Sequence, residues 1–112
     1  MDEAAFRTVA NATLERIGLA LDAALETSNA TFEWTLEDGV LTITAGDTHV
    51  VVRRDVDARV IVVDAGGRCV PFHAEDGRWV DERANALADA LVRALRSEAR
   101  IGLRQVPELP AG

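Results

Sequence analysis

The chain has no lysine, no tyrosine and a single cysteine, and none of its apolar runs approaches the length of a membrane span. With Cys69 alone an internal disulfide is impossible, which suits a reducing compartment. The longest hydrophobic stretches fall far below the roughly 20 residues that a helix needs to cross a bilayer. The first residues also lack the basic-then-apolar layout of a signal peptide, so the expectation is a cytoplasmic protein without membrane contact. Aromatics make up only 4% of the chain, so a core must be built from Leu, Val, Ile and Ala. Arginine supplies all 12 basic charges against 19 acidic ones. The resulting net charge of −7 argues against nucleic acid, where affinity comes from neutralising phosphates with Lys and Arg. An acidic surface instead favours cations, basic protein partners or plain solubility.

What is present is an ordinary globular chain. Its 112 residues suit one domain with one core, and 48% hydrophobic with 28% charged residues is not a disordered composition. Phe6, Ala10, Thr13, Ile17, Leu21 and Ala24 recur at three- and four-residue spacing, with Leu14 and Leu25 at the margin of the stripe, which predicts a helix over 3–26. Thr27-Ser28-Asn29 is its stop. Strand-type runs follow at 31–36, 40–44, 49–52, 58–64, 68–74 and 78–80, separated by Asp38-Gly39, Gly46-Asp47, Gly66-Gly67 and Asp76-Gly77. The run at 58–64 is nearly continuous apolar, as a central strand should be, whereas Pro71 points to an edge. Phe32, Trp34 and Leu36 alternate toward a core. A second helix is expected over 82–99 with Ala84, Leu87, Leu91, Ala94 and Leu95 buried. The division is one domain over 1–103 and a tail over 104–112, docked around Ile101 and Leu103 and barred from regular helix by Pro107 and Pro110.

Turns this short force antiparallel pairing. Two amphipathic helices can then bury their stripes only against one face of the sheet. The expected fold is therefore α+β, a two-layer sandwich with two helices packed on one face of a mostly antiparallel sheet of five to six strands.

This order resembles the frataxin family, including the bacterial iron-donor proteins. Phe6, Ala10 and Ile17 match its first helix, Gly39-Val40-Leu41-Thr42-Ile43 its strand motif, and Phe72 and Trp79 its spacing before the second helix. The resemblance implies a monomeric, non-enzymatic protein that binds iron, Fe2+ or Fe3+, weakly. Such a protein delivers iron to iron–sulfur cluster assembly, or modulates it, with a cysteine desulfurase and a scaffold protein as partners. A ferroxidase-like activity, assigned to some frataxins, is the one enzymatic alternative. The family's iron ligands form an acidic ridge along the first helix and the first strand edge. The matching residues here are Asp2, Glu3, Glu15, Asp22, Glu26 and Glu33, with Glu37 and Asp38 nearby. Oxygen ligands suit iron as a hard cation, and a row of like charges concentrates it. The spacing of Glu15, Asp22 and Glu26, seven and four, sets them on the face opposite the core stripe. A helix of this kind exposes such charges whether or not metal binds.

The chain departs from the family at several positions. Asn11, Gly18, Leu19 and Ala23 stand at ridge positions that are often acidic. Arg53-Arg54-Asp55 replaces an Asn-x-Gln, and Val60-Ile61-Val62-Val63 lacks an exposed Trp. Arg53, Asp55 and a partly exposed Trp79 are the expected partner surface. The competing reading is a protein-interaction module that binds no metal, either a diverged frataxin-like fold or a secretion-chaperone-like domain. An exposed Leu19 framed by few acids would favour it. His49 and His73 lack the paired spacing of a zinc site and read as surface residues. Cys69 reads as a buried inert thiol.

Overall fold

The computed structural model describes residues 1–27, 31–103, 106 and 109–111. Helix α1 spans Glu3–Thr27. Six strands follow, β1 (Glu33–Glu37), β2 (Val40–Ala45), β3 (Thr48–Asp55), β4 (Val60–Ala65), β5 (Arg68–Glu75) and β6 (Arg78–Val80), and then helix α2 (Leu87–Glu98). The stop expected at Ser28-Asn29 lies outside the described residues, as does Pro107.

The strands form one sheet in chain order, every neighbouring pair antiparallel. Tight turns dictate this, because connections of two residues, or of four between β3 and β4, can only fold a strand back beside itself. Asp38-Gly39 makes one such turn with φ of 50° and 76°, the doubly left-handed geometry that matches strand twist and that Asp-Gly tolerates. The register then fixes the faces. Leu36, Leu41, Val52 and Val63 form one row across β1 to β4, and Ile61 stands beside Phe72, all on the face that the helices cover. α1 lies over β1 and β3, and α2 over β3 and β4. Phe6, Ala10, Leu14, Ile17, Leu21, Leu87, Leu91 and Leu95 come down onto the sheet, each at most 1% exposed.

Pro71 keeps its edge character inside a six-stranded sheet. β6 pairs only with His73, Ala74 and Glu75, so the backbone of β5 at Pro71 faces no strand on that side and needs no donor there. The second helix starts five residues later than its periodicity suggests. Ala84 takes φ of 63° and is exposed, and the Asp81 carboxylate accepts the backbone N–H groups of Arg83 and Asn85, each at 2.9 Å, and the Asn85 side-chain amide at 3.1 Å. This corner takes the place of the first turn of helix. Cys69 is exposed on the outer face opposite Asp64 instead of buried, because the alternation that sends Val70 and Phe72 inward sends Cys69 outward.

The tail docks well beyond its start. Ile101 and Leu103 are buried as expected, and so are Leu109 and Ala111. Pro110 bridges Arg78 in antiparallel sense and the Ala111 N–H donates to the Gly77 carbonyl at 2.9 Å, so the chain end lies along the β6 edge.

Candidate functional site

The expected ridge residues are all exposed, but the fold spreads them along α1. At about 1.5 Å per residue, Glu3 and Glu26 stand roughly 35 Å apart, so no single ion reaches both. Three of the six already have partners. Asp2 Oδ1 accepts the Ala5 backbone N–H at 2.7 Å and so caps α1. Glu3 pairs with Arg7 at 3.5 Å. Asp22 Oδ1 accepts the Trp34 indole N–H at 2.9 Å.

The last contact explains two sequence features together. Trp34 is half-buried at the rim of the sandwich, not in its core, and the outer edge of its six-membered ring lies against Gly18 of α1. A Cβ on Gly18 would meet Trp34 Cη2 at 2.7 Å. Gly18 leaves room for that indole, which a side chain at this position would displace.

Glu15 lies one turn before Gly18 and faces an open cleft of about 280 Å³ between α1 and the β1–β2 turn. Asn11, Asp38, Gly39 and Arg54 share that cleft. Arg54 follows Val50 and Val52 on the inner face of β3, points at α1, and donates from Nη1 to Asn11 Oδ1. Glu33 alternates with Trp34, so it stands on the outer sheet face with Glu37, across the β1 edge from the helix acids. Among the described residues no three His, Cys, Asp or Glu converge to hold a metal ion. Exposed carboxylates of this kind offer the hard oxygen donors that iron accepts, but in an open row and not a cage.

The outer sheet face carries Arg53 between Val40 and Val62, with Asp55 at the strand end accepting the Ala58 N–H at 3.1 Å. Trp79, expected on this partner surface, is 1% exposed. It pairs with Ala74 on the inner face, packs edge-on against Phe6 with ring centroids 6.0 Å apart, and donates its indole N–H to Thr13 Oγ1 at 3.0 Å. Burial removes it from any docking surface. His49 and His73 are exposed, beside Thr44 and Glu75 respectively. A larger cleft of about 350 Å³ opens elsewhere, between α2 and β4–β5, with Arg68, Arg93 and Glu98 at its rim. It shares no residue with the ridge.

Sequence reasoning missed the inward aim of Arg54, the Trp34–Asp22 bond and the Thr13 hydroxyl under Trp79. The first was available from the alternation Val50, Val52, Arg54. The other two depend on how α1 sits over the sheet.

A family model described as the frataxin-like domain matches residues 1–101. The fold is similar to that of frataxin from Psychromonas ingrahamii, with a TM-score of 0.73 at 15% identity, covering 92% of this chain and 96% of that one. No curated protein sequence matches the chain.

Proposed function

Since the chain belongs to the frataxin-like family, an iron-related one, we propose that it binds iron weakly on the α1 ridge. On this reading it delivers that iron to iron–sulfur cluster assembly or modulates the assembly, without itself being an enzyme. The observation that carries the reading is the row Glu15, Asp22 and Glu26, which share one exposed face of α1, with Asp22 reaching Trp34 of β1. Carboxylates in such a row attract a hard cation through their summed field and hold it loosely, since none encloses it. Iron is here the cargo, Fe2+ or Fe3+. The outer sheet face around Arg53 and Asp55 is the proposed docking surface for a cysteine desulfurase and a scaffold protein, in the cytoplasm.

A reconstituted assembly reaction containing desulfurase, scaffold, cysteine and Fe(II) tests this. Adding the chain is expected to change the initial rate of cluster formation, and the triple variant E15Q/D22N/E26Q is expected to change it less. A rate indifferent to the chain contradicts the proposal.

One observation favours the second reading, a protein-interaction module without metal. Leu19, on the solvent side of α1, is 68% exposed. A bare leucine there suits a protein contact better than a cation.

A further inference from the structure

A cation already occupies the middle of the ridge. Arg54 projects from the inner face of β3 into the cleft between α1 and the β1–β2 turn. Its backbone N–H donates to the Gly39 carbonyl at 3.0 Å, and its side chain lies flat on Gly39. A Cβ there would meet Arg54 Cζ at 2.6 Å and Cδ at 2.7 Å, so a larger residue would push the guanidinium out of this place. Gly39 also has φ of 76°, so two independent requirements converge on one glycine. At the far end Nη1 donates to Asn11 Oδ1 on α1. The side chain thus rests against Gly39, and its charged end is held by the Asn11 amide oxygen. The carboxylates that line the same cleft are Glu15 of α1 and Asp38 of the turn.

We propose that Arg54 is a built-in counter-cation of the ridge, lowering its affinity for divalent metal ions so that a captured ion is held loosely and released readily. The idea rests on the ridge reading given under Proposed function. Arg54 draws on the same carboxylate field as an incoming ion and repels that ion directly. A dication about 8 Å from a fixed guanidinium in water-like surroundings is opposed about fivefold in its binding constant, and more strongly where the dielectric is lower. Arg53 supplies an internal control. It carries the same charge one residue earlier but stands on the opposite face of the sheet, opposite Val40 and Val62.

The test measures Mn(II) binding at pH 7 and low ionic strength by the electron paramagnetic resonance signal of the free ion. Wild type is compared with R54Q, R54K and R53Q, with circular dichroism confirming the fold. R54Q is expected to bind about fivefold tighter or more, R54K to stay within about twofold of wild type, and R53Q to gain less than about twofold. The gap between R54Q and wild type is expected to close in about 0.5 M salt, because a charge effect is screened there and a packing effect is not. Should R54Q fail to fold, R54M keeps the packing on Gly39 and makes the same comparison. Equal gains for R54Q and R53Q would reduce the effect to net charge and overturn the proposal, as would weaker binding by R54Q. Wild type that binds beside an unchanged R54Q overturns this inference and leaves the ridge reading standing. Binding by R54Q alone supports the inference and removes the wild-type iron reading. Binding by neither ends both.

Discussion

Thr13 and Trp79 meet where α1, β6 and the chain end come together. The hydroxyl accepts the indole N–H at 3.0 Å, donates to the Val9 carbonyl at 3.0 Å, and has the Pro110 carbonyl at 3.4 Å. A threonine in a helix stripe passes for a tolerated polar residue, and the sequence has no way to say that it serves a tryptophan 66 positions away. Removing it shows what it does. Thr13→Val keeps the shape but leaves a buried N–H without an acceptor, and the expected cost is about 1–3 kcal/mol in chemical denaturation. Trp79→Phe should cost less in the Thr13→Val background than in wild type, since the orphaned donor leaves with the indole. Additive losses would mean that the bond carries no weight. Trp34 shows the same kind of blindness. Its alternation with Phe32 and Leu36 correctly aims it at the helix layer, but only the placement of α1 makes it a lid over Gly18 bonded to Asp22.

The hairpins were legible because an Asp-Gly pair between two apolar alternations has one good backbone solution, and β1 to β6 follow from their turns. The start of α2 was not. Ala84 fits the helical period of Leu87, Leu91 and Leu95, but the Asp81 carboxylate binds the Arg83 and Asn85 N–H groups and closes a corner that excludes the helix. The Asn85 amide above all, then the two N–H groups, hold the Asp81 carboxyl below its ordinary range. A carboxyl depressed in the folded state stabilises above its unfolded value of about 4 and stops doing so as pH falls through the folded value. The melting temperatures of wild type and Asp81→Ala should therefore differ at pH 7 and converge as the pH falls through the depressed folded value. A gap that persists in acid would show that the charge is irrelevant to the corner. The tail was half legible. Ile101 and Leu103 continue the apolar content of α2, whereas Leu109 and Ala111 have no period to betray their burial. Burying a leucine contributes about 1.5–3 kcal/mol before ordering costs. Deleting the residues after Leu103 should lower the melting temperature by several degrees, at about 4–8 °C per kcal/mol. An unchanged melting curve would mean that the chain end adds nothing.

At the scale of the molecule, the two-layer sandwich was legible because composition, turn spacing and two amphipathic stripes admit few other arrangements. That positions 15, 22 and 26 share one exposed face of α1 was legible as a helical phase. The chemistry of that face was not. Whether an exposed carboxylate caps a helix like Asp2, bonds an indole like Asp22, or faces an arginine-lined cleft like Glu15 depends on contacts with distant strands. Among the described residues no helix is long and apolar enough to cross a membrane, and a net charge of −7 surrounds the ridge with a field favourable to cations. On the proposed function this field acts at the exposed face of α1 that carries Glu15, Asp22 and Glu26. The most direct test of that is an anaerobic titration of the isotopically labelled protein with Fe(II), or with Co(II) as surrogate, followed through backbone amide resonances. Signals of Glu15, Asp22, Glu26 and Glu33 should shift or broaden first, with those of Val52 and Ile61 at the sheet centre following only at higher metal. Ridge signals unchanged at millimolar metal, or changed no sooner than the sheet centre, would contradict it.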